Sequence, residues 1–360
     1  MPRNAGVSYP GLPRLRREIF PIPQRPYCRC RFSKLWTCWK WKTFRPGVNS
    51  ERVATGEMVR LKMLFRSAAL IIYRYPTQDS LYDLAWSEIN ANHLLTSSGD
   101  GSLRLYDTTL PPQYPIATFA EHNREAFSCS WNLTSKTAFA SSSWDGTARI
   151  WNPDREQSIL TLPTHSCTYS VQWNPHTDGI LSAVCSDSHL RVWDLRTPAS
   201  ANNHLTLQIP IHAPPITTST PLHPQPTFPP SEALSHDWNK YRRGVIAAAG
   251  VDRIIRTFDI RQPSGPLQLL QGHEYAIRRV AWSPHSPDLL ISASYDMTCR
   301  IWTDGSGVQG KGPQQLGRMD RHTEFVTGVD WCMFGSEGWA ASCGWDERLC
   351  VWDVRGFMHQ

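Results

Sequence analysis

From residue 81 to residue 354 short apolar runs alternate with polar turns, and the alternation has a fixed form that returns six times. The clearest copy is Ser141 to Trp151, SSSWDGTARIW, in which an Asp is followed six residues later by an aromatic side chain. The same offset joins Asp100 to Tyr106, Asp145 to Trp151, Asp187 to Trp193, Asp252 to Phe258, Asp296 to Trp302 and Asp346 to Trp352. A Trp stands fourteen residues before the Asp in five copies (Trp86, Trp131, Trp173, Trp238, Trp282) and fifteen before it in the sixth, at Trp331. Each copy predicts a strand ending near that Trp, a polar connection, a strand such as Ala138–Ser142, a tight turn at the Asp, and a strand such as Ala148–Trp151.

Successive Asp residues are 45, 42, 65, 44 and 50 apart, a period in the range of propeller blades. A blade is one small four-stranded sheet that cannot bury both faces by itself, so the copies must stack radially, and a closed ring removes exposed edges. The expected fold is all-β, a propeller over residues 63–356 with six clear blades and a degenerate or incomplete seventh, for which Met63 to Asp79 is the available chain. The long interval falls at residues 197–230, whose APP, PLHP and FPP segments read as an extended surface loop rather than a strand.

A His recurs ahead of the Asp at His122, His165, His273 and His322, and Thr96, Ser141, Ser292 and Ser342 stand four before it, with Ala183 and Ala248 in the other two copies. One His, Ser and Asp taken alone would suggest a nucleophilic triad. Recurrence in blade after blade argues instead for a structural network in which a buried Asp finds donors. That network is expected to comprise His122, Ser141, Asp145 and Trp151; His165, Asp187 and Trp193; His273, Ser292, Asp296 and Trp302; and His322, Ser342, Asp346 and Trp352.

Composition narrows the function classes. The net charge of +6 divides into +12 over residues 1–80 and −6 over the rest, so the repeat region favours a basic ligand over the phosphates of nucleic acid. No apolar run approaches the length of a membrane span; the nearest, Ala68 to Tyr73, is flanked by Arg66 and Arg74. The ten Cys lack the spacing of a disulfide scaffold, which suits a reducing cytosolic setting. Cys28, Cys30 and Cys38 lack a nearby fourth ligand, so no metal or other cofactor is expected. No phosphate-binding loop or nucleophile elbow appears, and the chain does not read as an enzyme. Residues 1–62 are basic, hold seven Pro before position 47, and read as a disordered tail or a misplaced start with translation from Met58 or Met63. The interleaved basic and aromatic residues of KLWTCWKWKTFR leave an RNA-contacting arm or a targeting peptide as alternatives.

The repeats identify the chain as a member of the WD40 propellers, with Trp193-Asp194 and Trp352-Asp353 as the eponymous dipeptide. SLYDLAWSE, SGDGSLRLYD, EHNREAFSCSWN, SSSWDGTARIW, DWNKYR, GHEYAIRRVAWSPH, SYDMTCRIW and HTEFVTGVDW together resemble the WD40 receptors for the type-2 peroxisomal targeting signal, peroxins, in their fungal form. The resemblance covers Gln78 to Val354 and implies a cytosolic protein that shuttles to the peroxisome. It would bind an N-terminal signal of the form Arg/Lys, aliphatic, five residues, His/Gln, aliphatic on matrix enzymes, and deliver them with a peroxin co-receptor to docking proteins. The alternative is a generic WD40 scaffold or substrate adaptor for a ubiquitin ligase or chromatin complex, which would share every repeat feature.

Three positions per unit should project on the face where propellers bind ligands: six and four residues before the first-strand Trp, and one before the Asp. They are Ser80, Tyr82, Gly99; Glu125, Phe127, Trp144; Cys167, Tyr169, Ser186; Glu232, Leu234, Val251; Ala276, Arg278, Tyr295; and Phe325, Thr327, Trp345. Exposed aromatics mark a recognition surface suited to an amphipathic helix. Tyr82, Phe127, Trp144, Tyr169, Tyr295, Phe325 and Trp345 are the candidate apolar contacts. Glu125 is the first candidate to pair with the signal's basic residue and Glu232 the second.

Overall fold

In the computed structural model the described residues are 79–110, 114–198, 203–212, 231–307, 312–333 and 337–358. The apolar runs become strands because Val, Ile, Leu and aromatic side chains pack well on a pleated surface, and the polar turns between them reverse the chain. Blade 1 begins at Leu81–Trp86, blade 2 at Ala126–Trp131, blade 3 at Thr168–Trp173, blade 4 at Ala233–Trp238, blade 5 at Ile277–Trp282 and blade 6 at Val326–Trp331. Within each blade the strands pair antiparallel in chain order. Blades 1 to 5 have four strands and blade 6 has three, among the described residues. The expected strands at residues 138–142 and 148–151 appear as Phe139–Ser143 and Thr147–Trp151.

The core lies between blades. Five apolar clusters fill the junctions 1–2, 2–3, 3–4, 4–5 and 5–6, and each contains large side chains such as Trp151, Trp193, Phe258, Trp302 and Trp352. In blades 2, 3 and 6 the first-strand Trp fastens its blade to the one before through a backbone carbonyl. Trp131 Nε1 donates to the Ala85 carbonyl at 3.2 Å, Trp173 to Ser130 at 3.2 Å and Trp331 to Ala281 at 3.0 Å. The residue after the repeat Asp adopts a left-handed backbone in all six blades, at Gly101, Gly146, Ser188, Arg253, Met297 and Glu347. This conformation closes the tight turn, and outside Gly it carries a steric cost that the repeat accepts in four blades.

In blades 2, 5 and 6 the expected network forms a directed chain of hydrogen bonds. Trp302 Nε1 donates to Ser292 Oγ at 2.8 Å, Ser292 donates to His273 Nε2 at 2.7 Å, and His273 Nδ1 donates to Asp296 at 2.7 Å. The chains Trp151, Ser141, His122, Asp145 and Trp352, Ser342, His322, Asp346 repeat it. Burial by itself would raise the Asp145 and Asp296 carboxyls, but hydrogen bonds from His122 and His273 prevail and hold both well below the ordinary carboxylate range. The three Ser hydroxyls are buried and already accept from Trp, so the triad-like geometry offers no accessible nucleophile.

The other blades use a different partner. His165 does not join the network: it is exposed, with φ 58°. Blade 3 has Ala183 where the hydroxyl should stand, so a buried imidazole there would leave one nitrogen unpaired. Asp187 instead receives Arg191, four residues on, at 3.1 Å and a second, shorter contact. The Arg at this position also pairs with Asp100 in blade 1, through Arg104, and with Asp252 in blade 4, through Arg256. Blade 4 keeps a His as well, His212, whose Nε2 lies 3.0 Å from Asp252. The expectation of a loop throughout residues 197–230 is corrected at Leu205–Pro210, which is the outer strand of blade 3. Its side chains Leu205, Leu207 and Ile209 alternate toward the core, and Pro210 ends it at the sheet edge. Residues 1–62, the candidate seventh-blade chain up to residue 78, and residues 213–230 lie outside the described residues.

His236 marks the junction of blades 3 and 4. Its Nε2 meets Ser182 Oγ at 2.8 Å, and Trp238 Nε1 donates to the same oxygen at 2.8 Å. Burial, reinforced by Arg279, pushes this imidazole down to about 3.

Two outcomes follow from these ties. Ser141→Ala leaves the buried His122 Nε2 and Trp151 Nε1 without partners and should cost about 1–3 kcal/mol in urea denaturation, whereas Ser142→Ala should be near neutral, because Ser142 Oγ already lacks a partner among the described residues. The unfolded His236 binds a proton near pH 6.5, but the folded one waits until about pH 3, so stability is complete above 6.5 and falls as pH drops between these values. The drop between pH 7.5 and pH 5.0 should shrink by about 2 kcal/mol in His236→Gln; equal pH dependence of the two proteins would contradict the assignment.

Candidate functional site

The first strand of every blade carries the same irregularity. Its pairing with the second strand slips by one residue, leaving an extra residue at Tyr82, Phe127, Tyr169, Leu234, Arg278 or Thr327. These are the six positions four residues before the Trp. A β-bulge bends the strand and re-aims the side chain of the extra residue, and such bulges are common at the rims of barrels and beside functional sites.

Backbone pairing brings the other two positions beside each bulge. The amide of the residue before the Asp donates to the carbonyl six before the Trp: Gly99 to Ser80, Trp144 to Glu125, Ser186 to Cys167, Val251 to Glu232, Tyr295 to Ala276 and Trp345 to Phe325, at 2.6 to 3.1 Å. Each blade therefore presents its three expected positions together on one face.

Four of the seven candidate aromatics form one cluster. Tyr82 stacks on Phe127 with centroids 4.5 Å apart, Trp144 stacks on Phe127 at 5.4 Å, and Tyr169 meets Phe127 edge-on at 5.2 Å and Trp144 at 5.9 Å. Phe127 is the hub, enclosed by ring contacts that favour offset and edge geometries. Two guanidinium groups sit against the cluster: Arg278 4.8 Å above the Phe127 ring and Arg124 5.6 Å above Trp144. Tyr295, Phe325 and Trp345 form a second group, with neighbouring centroids 5.1 Å apart. Trp345 is 51% exposed there, and Tyr275 and Met297 are exposed nearby in the sequence.

The two candidate carboxylates differ. Glu232 is exposed and accepts a hydrogen bond from the Tyr169 hydroxyl at 2.9 Å, which couples it directly to the first aromatic cluster. Burial, and then the Glu232 charge, push the Tyr169 phenol well above its usual range, so the hydroxyl remains a donor. Glu125 lies 3.7 Å from Arg124, and that neighbour already offsets its charge. Trp144 Nε1 is buried with no acceptor among the described residues.

Sequence reasoning assigned no role to the charges at the mid-depth of the first strands. Arg279 reaches Asp83 at 3.9 Å, and although burial disfavours its charge, Asp83, Asp330 and Asp237 outweigh that and raise its pKa. These residues come from blades 5, 1, 6 and 4, so they tie non-adjacent blades. The available signal was an ionisable residue one or three positions before the first-strand Trp in several copies. Among the described residues no group of His, Cys, Asp and Glu has a metal-binding arrangement, and no helix is long and apolar enough to cross a membrane.

The model for the family "WD domain, G-beta repeat" matches residues 113–152, 156–194, 264–303 and 313–353. The copies it leaves unmatched include the two without a Trp six after the Asp, Asp100/Tyr106 and Asp252/Phe258. Among curated proteins, the "Peroxisomal targeting signal 2 receptor" of Saccharomyces cerevisiae is 35% identical over 86% of this chain and 92% of its own length. The receptor of the same name from Schizosaccharomyces pombe is 31% identical over 79% and 83%. "Peroxisome biogenesis protein 7" of Arabidopsis thaliana is 39% identical over 77% and 80%. A share of 86% of 360 residues exceeds everything from Asp79 onward, so the similarity extends further toward the N-terminus than the motifs beginning at Gln78. With that identity across most of both chains, on a propeller of WD40 blades, this chain belongs to the family of peroxisomal targeting signal 2 receptors.

Proposed function

We propose that the chain is a receptor for the type-2 peroxisomal targeting signal, an N-terminal helical segment with Arg or Lys and aliphatic residues near one end and His or Gln and an aliphatic residue near the other. It works between the cytosol and the peroxisome. There it passes its cargo to the import machinery together with a co-receptor peroxin. The observation that carries this reading is the ring of bulged first-strand residues, which gathers Tyr82, Phe127, Trp144 and Tyr169 beside the Glu232 carboxylate on one face.

That arrangement suits an amphipathic helix. Aromatic surfaces take its aliphatic side chains, and a carboxylate held at the edge of the aromatic cluster takes its basic end in a charge-assisted hydrogen bond. Glu232 is the better placed partner because Tyr169 holds it at the cluster edge, and Glu125 comes second because Arg124 competes for it. Tyr295, Phe325 and Trp345 give a second apolar footing on the same face, toward blade 6. The role assigned here is binding, and no step of bond making or breaking is assigned to the chain.

Fluorescence anisotropy with a helical peptide bearing Arg-Leu, five residues and His-Leu tests the reading on the full chain. Saturable binding should weaken at least about tenfold in Glu232→Arg, the equivalent of about 1.4 kcal/mol, and recover in part when the peptide's Arg is replaced by Glu. Glu125→Arg should have a smaller effect. Affinity indifferent to both the peptide's Arg and Glu232 would remove the site, and no binding by demonstrably folded protein would remove the receptor function.

A further inference from the structure

Arg278 is the bulged residue of blade 5, and Phe127 is the bulged residue of blade 2. Blades 3 and 4 lie between them in the ring, so the 4.8 Å contact of this guanidinium with the Phe127 ring crosses the mouth of the channel. Other arginines of the blades are matched to carboxylates: Arg104 to Asp100, Arg191 to Asp187, Arg256 to Asp252, Arg279 to Asp83. Arg278 makes no ion pair among the described residues, and its charge rests against an aromatic face instead. Phe127 is already enclosed by Tyr82, Trp144 and Tyr169, and only 8% of it is exposed. A second cation can reach that ring only where Arg278 now sits.

We propose that Arg278 is a resident cation of the recognition face: it occupies the cation position on Phe127 and is displaced by the basic residue of an incoming peptide, which makes it the residue that sets how tightly a basic ligand is held. This rests on the receptor reading above and concerns how the same site holds its ligand. A ligand with a neutral residue at that place gains nothing by displacing Arg278, because it leaves one guanidinium without its ring. A basic ligand exchanges one cation for another and adds the pairing with Glu232, which lies beside Tyr169 in the same cluster. A neutral ligand leaves Arg278 in place, so the cost of displacement falls on the basic ligand alone, and the resident cation limits how tightly a basic peptide is held.

The test measures peptide affinity for the full-length protein, its Arg278→Gln and Arg278→Lys variants, and both changes combined with Phe127→Leu, using an Arg-bearing peptide and its citrulline counterpart. Arg278→Gln should bind the Arg peptide about three- to tenfold tighter, the size of one partly desolvated cation–π contact. It should bind the citrulline peptide tighter by less, so discrimination between the two rises. Arg278→Lys, a poorer stacking cation of the same charge, should fall between wild type and Arg278→Gln, and the gain should vanish in the Phe127→Leu background. Weaker binding by Arg278→Gln would mean that Arg278 contacts the peptide directly and would overturn the proposal. Equal tightening with both peptides, or tightening that survives Phe127→Leu while Arg278→Lys matches wild type, would reduce the effect to charge repulsion and would also overturn it. Failure of the wild-type protein to bind the Arg peptide is a different result, which removes the receptor reading and this inference with it.

Discussion

A carboxylate at the turn between the second and third strands must be satisfied in every blade, and much of the architecture follows from how it is done. In blades 2, 5 and 6 a chain from Trp through Ser and His to Asp pairs each hydrogen with one acceptor, linking the third strand, the second strand, the entering loop and the turn. Leaving any member unpaired inside the protein would cost the full desolvation of that group, so the chain is cooperative. In blades 1, 3 and 4 an Arg four residues after the Asp supplies a charge-assisted contact, and in blade 5 Arg300 adds one to the Asp that His273 already holds. Every copy of the repeat satisfies its Asp, and two chemistries achieve it.

Anchoring the turn has a functional consequence. The residue before the Asp hydrogen-bonds back to the strand entry, and the intervening first-strand residue is squeezed out as a bulge. Six blades thus present six bulged side chains around the channel mouth. Their identities are free of the packing demands that fix the Trp and Asp positions, so this ring can differ in chemistry while the scaffold repeats. In this chain it holds two tyrosines, a phenylalanine, a leucine, an arginine and a threonine. Below it the Arg279, Asp83, Asp237 and Asp330 charges bind non-adjacent first strands together, which keeps the rim residues in fixed relation.

The offsets in the sequence carried the fold: the Asp-to-aromatic spacing and the recurrent Trp specify strand, turn and strand, because a two-residue side-chain period and a tight turn leave few alternatives. They also carried the three rim positions of each blade, since these lie at constant distance from the Trp and the Asp. His165 misled because its left-handed backbone leaves it exposed, and Asp187 is held by Arg191 instead. His212 was missed because the stretch between it and Asp252 is 40 residues long, against 23 from His122 to Asp145. The strand Leu205–Pro210 was hidden beside Pro-rich sequence, although its alternating Leu, Leu and Ile carried the signal.

What the sequence determined alone is therefore local and periodic: the blade, its turn, its network residues where all partners are present, and which residues reach the rim. Tertiary structure decided what no offset encodes, namely which rim residues from different blades meet. Phe127 gathers Trp144 from its own blade, Tyr82 and Tyr169 from the neighbouring blades and Arg278 from across the channel, while Tyr295, Phe325 and Trp345 group by themselves. These contacts depend on the curvature of the ring and on side-chain directions set by the bulges, quantities that arise only when blades far apart in the chain are packed around one axis.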